Sequence, residues 1–302
     1  MILSVGEALI DMLPRTSPAG EPCFAPYAGG AVMNTAIALG RLGSASSFLT
    51  GLSSDLMGDV LCETLKASNV NLDLAVRSDR PTTLAFVKLT NGAASYFFYD
   101  ENTAGRMMTP ADMPTLPDSI NAYFTGGIWL AVEPCGTALE ALMTREAGSR
   151  VTMIDPNVRP SFVRDRPAYT ARIDRMIGLS DIVKLSDEDA EWLYGTTDPQ
   201  AILAKGAKVV LVTEGSKGAT AYTARGHVQV AAPAITVVDT VGAGDTFNAG
   251  FLASLDRDGL LTKAQVASLS DDALRNALSL GTRAAAITCS RAGANPPWAD
   301  EL

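Results

Sequence analysis

Histidine is nearly absent from this 302-residue chain: only His227 is present. Mechanisms that need a histidine pair, a histidine-activated nucleophile or a histidine-rich metal site therefore have no material. His227 stands among alternating strand-like residues beside Gly226 and reads as a surface strand residue. Cysteine is scarce too. Cys23, Cys62, Cys135 and Cys289 lie far apart with no CxxC spacing, so free buried thiols are expected rather than a disulfide frame or a zinc site. There is no basic leader and no long apolar run; Met1-Ile-Leu-Ser-Val-Gly6 is already strand-like, and a cytoplasmic protein with no membrane partner is expected. Positive charge is in deficit, 24 Lys and Arg against 33 Asp and Glu for a net −9, which argues against a nucleic-acid partner. Two phosphate-binding signatures are missing as well. No GxxxxGK[ST] occurs, and the GxG of Gly242 and Gly244 is followed by Phe247 where a dinucleotide fingerprint needs its third glycine.

What is present is the composition of a globular protein, 47% apolar and 19% charged, with strand and helix patterns in alternation. Ile2–Val5 reads as a buried strand that Gly6-Glu-Ala-Leu-Ile-Asp11 continues to a polar end. Residues 12–28, broken by Pro14, Pro18, Pro22 and Pro26, exclude a helix or a central strand and suggest a hairpin or flap. Gly29-Gly-Ala-Val-Met-Asn34 opens an amphipathic helix that Gly43 ends; the paired glycines serve either close backbone approach to a ligand or a plain tight turn. Strand 48–52 and helix 58–66 follow. The runs 82–89 and 94–99 flank Asn91-Gly92, a hairpin signal with no helix between its strands. With 12–28 it makes a β-rich appendage, either a lid or an edge hairpin of the main sheet.

From residue 121 the alternation resumes, with strands at 122–125, 151–155, 182–185 and 209–213 and helices at 135–145, 169–177 and 187–194. This order predicts a mostly parallel sheet covered by helices, with functional groups at strand C-termini, where Asp11, Asp155, Asn157, Arg159, Lys184 and Glu214 fall. The run Ile235–Val238 reads as a further strand leading into Asp239-Thr-Val-Gly-Ala-Gly-Asp245 and a helix to Leu255, and two alanine-rich helices cover 263–269 and 272–288.

The 239–245 turn holds the chemistry. Backbone N–H groups at a helix start form an anion site, and a carboxylate placed there needs a reason. Asp245 is either a helix N-cap or a proton acceptor beside a transferring phosphoryl group. On the second reading the amides of Gly242, Ala243 and Gly244 form the anion hole.

Taken together and in this order, Gly29-Gly-Ala-Val-Met-Asn34 and Asp239-Thr-Val-Gly-Ala-Gly-Asp245 resemble the two signatures of the ribokinase-like (PfkB) carbohydrate kinase family, with agreement from Gly6-Glu to Gly293-Ala294. The resemblance implies a three-layer α/β core over 1–11, 29–81 and 105–302, and a discontinuous β-sheet lid over 12–28 and 82–104. It also implies transfer of the γ-phosphoryl of MgATP to a primary hydroxyl of a sugar. On it, Asp245 is the base, and Asp11, Gly29, Gly30 and Asn34 hold sugar hydroxyls. Thr213, Gly215 and Gly218 resemble a turn near the ATP phosphates, or else form a plain hairpin turn. Asn276 and Gly293 resemble the adenine wall, or else serve packing. A potassium ion near Asp239 and Val241 is implied too.

Where many members carry Asn-x-x-Glu, this chain has Lys184-Leu-Ser186-Asp-Glu-Asp189, so Lys184 is placed with the cofactor and Asp189 is left an indirect, water-mediated magnesium role. That variant, with Phe98-Tyr-Asp-Glu-Asn-Thr-Ala104 and Asp155-Pro-Asn-Val-Arg159, is similar to bacterial fructokinases. The expected reaction is phosphorylation of the 6-hydroxyl of D-fructose, with Arg159 near substrate or phosphate. The alternatives are another keto-sugar kinase, such as one for 2-keto-3-deoxygluconate, a catalytically silent sugar-binding protein, and a nicotinamide oxidoreductase. A homodimer through the lid is expected from the apolar Phe86, Phe97 and Phe98.

Overall fold

The computed structural model describes residues 1–90, 93–196 and 198–302, so the turn expected at Asn91-Gly92 lies outside the described residues. Nine strands form the main sheet, in the order Gly226–Val230, Ala219–Thr223, Val209–Thr213, Ile182–Ser186, Val151–Asp155, Ala122–Gly126, Ile2–Val5, Ser46–Leu49, Val70–Asn71. From Val209–Thr213 to Val70–Asn71 every pairing is parallel; the first two strands join antiparallel. Parallel strands need helices on both faces, and the side chains divide accordingly. Ile2, Phe48, Phe124, Met153, Ile182 and Leu211 point into one core. Their neighbours Leu3, Leu49, Tyr123, Ile154, Val183 and Val210 point into the other. Helices Ala31–Arg41, Ala243–Arg257 and Asp271–Cys289 cover the first face, and Cys135–Glu146 and Arg166–Gly178 the second. The result is the expected three layers, with the C-terminal ends of the parallel strands along one edge.

A separate four-stranded sheet stands off this core, in the order Pro22–Gly29, Leu9–Thr16, Leu84–Thr90, Ala93–Tyr99. It begins earlier than expected. The core strand stops at Val5, Gly6-Glu7-Ala8 cross over, and Asp11 lies inside a strand of the small sheet, opposite Tyr27 and Ala85. The crossing is tight: a Cβ on Gly6 would come within 2.6 Å of Val32 Cγ2. The single strand expected at 48–52 is likewise two, Ser46–Leu49 in the main sheet and Gly51–Ser53 paired with Val76–Ser78.

Ile235–Val238 is not a strand. The segment is irregular, with Val237 and Val238 each 60% exposed, and the Val238 and Asp239 N–H groups both donate to the Cys289 carbonyl. Its β-branched residues have the strand propensity, but propensity without a sheet edge to join does not make a strand. Of the four free cysteines only Cys135 is buried, and Cys23 is exposed. His227 is exposed on its strand, as expected. Among the described residues no helix is long and apolar enough to cross a membrane.

The helices Ala243–Arg257 and Asp271–Cys289 approach closely enough for backbone contact. A Cβ on Gly250 would stand 2.7 Å from Gly281 Cα and 3.0 Å from the Leu280 carbonyl, atoms with no rotamer to yield. Gly250→Val is therefore expected to lower the unfolding free energy by about 3 kcal/mol. Urea denaturation measures it, and a loss under about 1 kcal/mol would show that the helices can separate freely.

Candidate active site

Val5, Gly126, Asp155, Ser186 and Thr213 end parallel strands at the same edge of the sheet. A cavity of about 950 Å³ lies there, bounded by the small sheet on one side and the start of helix Ala243–Arg257 on the other. That edge is where open parallel sheets place ligands.

The helix opens at Gly242, its N-cap, with φ +78 and no side-chain cap. Only glycine suits the position: φ is left-handed, and a Cβ would lie 2.6 Å from Ala294 Cβ. Among the described residues the N–H groups of Gly242, Gly244 and Asp245 have no acceptor, while Ala243 N–H donates to Thr240 O at 3.3 Å. The free donors are thus two of the three expected amides plus that of Asp245 itself. They lie at the positive end of a 15-residue helix.

Asp245 is not the cap. It is the third residue of the helix, its carboxylate is buried, and both oxygens accept from amide side chains: Oδ2 from Asn34 Nδ2 at 2.9 Å and Oδ1 from Asn157 Nδ2 at 3.4 Å. Burial raises its pKa from the usual carboxylate range to about 6, aided by the Asp155 charge and opposed by the Asn34 bond, Lys184 and Arg159. A carboxylate poised near neutrality and fixed by two amides is suited to general-base work.

Asn34 reaches Asp245 from the first turn of helix Ala31–Arg41, and Thr35 Oγ1 donates to the Asp245 carbonyl at 3.2 Å. That helix lacks a local cap. Gly30, at φ +109, has no side chain to offer, and the Ala31 N–H is taken by Glu7 Oε1 at 2.9 Å instead. At Gly29 the backbone passes close to Asp11: a Cβ there would come 2.5 Å from Asp11 Oδ2, and the carboxylate would have to shift. Asp11 faces the cavity with no hydrogen-bond partner among the described residues, and burial raises its pKa to about 6.

Behind Asp245 sits a buried ion pair. Lys184 Nζ lies 2.9 Å from Asp155 Oδ2, which also accepts from Asn248 Nδ2 at 2.7 Å. Burial works against the lysine charge, but Asp155, Asp189 and Asp245 prevail and hold its pKa above the ordinary value. Nζ also approaches the anion turn: a Cβ on Gly244 would be 3.2 Å from it. Asp155 Oδ1 accepts the Asn157 N–H, a turn that holds Asn157 at φ +44 with its amide toward Asp245.

The cavity brings together Asp11, Gly30, Asn34, Arg159, Lys184, Asp189, Thr213, Val241, Gly242, Ala243, Gly244 and Asp245, so most of the expected residues share one space. Arg159 is exposed at the rim, bonded to the Val158 carbonyl at 3.1 Å. Others are placed differently. Gly215 and Gly218 form the turn between antiparallel strands Val209–Thr213 and Ala219–Thr223 and do not line the cavity. Asn276 is exposed near the start of helix Asp271–Cys289. The other end of that helix meets the turn, so Asn276 is about 18 Å away along the axis at 1.5 Å per residue. Asp189 is committed: Oδ1 accepts from Val158 N at 2.8 Å and Oδ2 from Ser186 N at 3.1 Å, closing a capping box. Asp239 is committed too, accepting from Val241 N at 3.0 Å and Gly293 N at 2.9 Å, which fastens the turn to the loop at Gly293.

Glu7 and Asn248 were assigned no role from the sequence, and Asn157 was marked only as a polar group at a strand end. Glu7 had a signal, a lone acid within the apolar run Val5-Gly-Glu-Ala-Leu-Ile10. Asn248 had none, being one polar residue on a helix.

Known proteins resemble this chain in sequence and in fold. The pattern of the pfkB family carbohydrate kinases matches residues 1–301. A fructokinase of Rhizobium leguminosarum bv. trifolii is 58% identical over 280 residues, 91% of this chain and 86% of its own. The crystal structure of a fructokinase with bound ATP from Xylella fastidiosa superposes with a TM-score of 0.88 at 28% identity, over 97% of this chain and 93% of its own. An uncharacterized sugar kinase from Pyrococcus horikoshii, in complex with ATP, gives a TM-score of 0.86 at 28% identity over 100% of this chain and 97% of its own.

Proposed function

The chain belongs to the pfkB family of carbohydrate kinases, and from that premise we propose that it transfers the γ-phosphoryl group of ATP to the 6-hydroxyl of D-fructose. The single observation that carries the reading is Asp245, buried, held by Asn34 and Asn157, and one residue beyond an anion-binding turn. The 58% identical relative named as a fructokinase supports the choice of sugar.

In the proposed reaction the sugar lies between Asp11, Asn34 and the small-sheet residues Tyr96 and Phe98, and ATP lies along Lys184, Ser186, Thr213, Thr240 and Val241. Asp245 takes the proton of the 6-hydroxyl as its oxygen bonds to the γ-phosphorus. The bond from that phosphorus to the β–γ bridging oxygen breaks, and ADP leaves. The free N–H groups of Gly242, Gly244 and Asp245 hold the transferring group's oxygens, with Lys184 and Arg159 adding positive charge. Asp11, an unpaired carboxylate, accepts from sugar hydroxyls.

The metal expectations fit only loosely. Among the described residues no three acidic or histidine side chains form a metal cluster, and both Asp189 oxygens are occupied by backbone N–H groups. Magnesium would arrive on the nucleotide phosphates with its waters, as it commonly does, and Glu188, exposed on the cavity wall, and the remaining lone pairs of Asp189 are the carboxylate acceptors that would meet them. Where potassium was expected, each Asp239 oxygen accepts one N–H, from Val241 and from Gly293, and retains a lone pair toward the turn. No step is routed through either ion.

The small sheet would act as the lid over the sugar. Its opposite face carries Phe24, Phe97 and Tyr99, each about half or more exposed, and a homodimer formed through the sheet would cover them. We place the enzyme in the cytoplasm.

Rates of ADP formation with fructose, ribose, tagatose, 2-keto-3-deoxygluconate and adenosine test the substrate. Fructose is expected to exceed each by about tenfold or more in kcat/KM, a margin that a few hydroxyl contacts supply. Preference for the acid sugar would overturn the assignment and give Arg159 a carboxylate to bind.

A further inference from the structure

Glu7 is a buried carboxyl that the proposed reaction does not use. It is 2% exposed, lies on the cavity wall, and has one oxygen satisfied, by the Ala31 N–H. Oε2 is buried with no partner among the described residues. Two glycines in left-handed conformations shape the space around it. A Cβ on Gly30, φ +109, would meet the Glu7 carbonyl at 2.9 Å and Cγ at 3.2 Å. On Gly127, φ +71, it would lie 2.2 Å from Oε1 and 2.4 Å from Oε2. The side chain is therefore clamped between the start of helix Ala31–Arg41 and the turn after strand Ala122–Gly126.

That clamp has a target. Helix Ala31–Arg41 has no side-chain cap of its own, and four residues from its N-cap Asn34 holds Asp245 Oδ2. We infer that Glu7 is a positioning residue for phosphoryl transfer, capping this helix from a distance so that Asn34 meets Asp245 in a fixed place. The inference rests on Asp245 being the base.

The charge state of Glu7 supports it. Burial, and to a smaller degree the Asp245 charge, raise its pKa to about 8 against the pull of its backbone hydrogen bonds. Among the described residues the Cys135 thiol also interacts with it, and burial pushes that thiol up and keeps it uncharged. At pH 7 Glu7 is therefore a neutral acid and adds no charge to that of Asp245. As pH rises through about 8 a further carboxylate forms beside the phosphoryl site, opposing both the base and the incoming phosphate.

Three variants test this. Glu7→Gln keeps the acceptor for Ala31 and is always neutral; it is expected to retain kcat within about threefold at pH 7 and to lose the alkaline fall in activity near pH 8. Glu7→Leu fills the space without an acceptor and is expected to lower kcat roughly a hundredfold, with KM for ATP little changed. Glu7 favours folding in its protonated form, so its contribution is complete below about pH 4.5 and is lost as pH rises through about 8. The melting temperature of Glu7→Gln relative to the parent should accordingly climb across that interval, a readout independent of activity. An alkaline limb unchanged in Glu7→Gln, or full activity in Glu7→Leu, overturns the inference. Asp245→Asn, assayed alongside, separates the two readings: if it stays active the base is wrong, whereas if it is dead while Glu7→Leu is normal only the positioning role fails.

Discussion

Asp245→Asn is expected to lower kcat about a thousandfold, within the range that a positioned general base contributes, while KM for ATP and sugar moves by a few-fold at most. The folded protein should not suffer. Asp245 has its pKa raised from 3.8 to about 6, so folding favours its protonated form. The stability it lends is complete below about pH 4 and disappears as pH climbs through about 6, leaving a charged group whose burial costs on the order of 3 kcal/mol at pH 8. An amide removes that cost. The variant should be inactive and no less stable than its parent, the outcome expected where a site trades stability for chemistry. The same titration gives the parent an acid limb: kcat/KM falls as pH drops through about 6, when the base gains its proton. Asp11 titrates in the same range and, on its proposed role with the sugar hydroxyls, is expected to report through sugar KM, so that Asp11→Asn keeps the kcat limb. Steady-state kinetics and melting curves across pH 5 to 9 settle all three, and residual turnover above about a tenth of the parent's would remove Asp245 from the role.

The largest loss of stability is expected at Lys184. Its ammonium and the Asp155 carboxylate have side chains 4% and 2% exposed, so removing one partner leaves the other buried and uncompensated. Lys184→Met should destabilise by about 3 to 5 kcal/mol, and adding Asp155→Asn should recover most of it, since the amide asks for no counter-ion. A double-mutant cycle by urea denaturation gives the coupling directly. Equal losses in the single and double variants would mean that the pair is not the unit of stability. Asp155 also orients Asn157 and bonds Asn248, so the recovered double variant should remain a poor kinase: stability returns, while the cation beside Gly244 does not.

The fold was legible where local pattern decides it. Runs such as Val209–Thr213, buried on both faces, followed by helical periodicity, specify parallel strands and covering layers without reference to distant residues. Errors arose where a segment's fate depends on what it meets. Ile235–Val238 has the composition of a strand and no sheet edge to join. Gly6–Asp11 looks continuous in sequence, but the chain changes sheets within it. The role of Asp245 turned on where its helix starts, and only Gly242 in the left-handed region puts the carboxylate at the third position and denies it the cap. Glu7 is 24 residues from the amide it binds, and no spacing rule spans that gap. Asn276 was carried over by resemblance, and the sequence alone did not show that it lies near the start of a helix whose other end meets the 239–245 turn.

Strand Pro22–Gly29 of the small sheet passes into helix Ala31–Arg41 through Gly30 alone. A joint of one residue transmits motion instead of absorbing it, so a tilt of the sheet displaces the helix start and with it Asn34. Water is always present as a rival acceptor for the phosphoryl group, and it is too small to draw the sheet down. If the sheet tilts as sugar binds, the position of Asn34, and with it the hold on Asp245, follows the sheet, and ATP hydrolysis without sugar is expected to be slow compared with transfer to sugar.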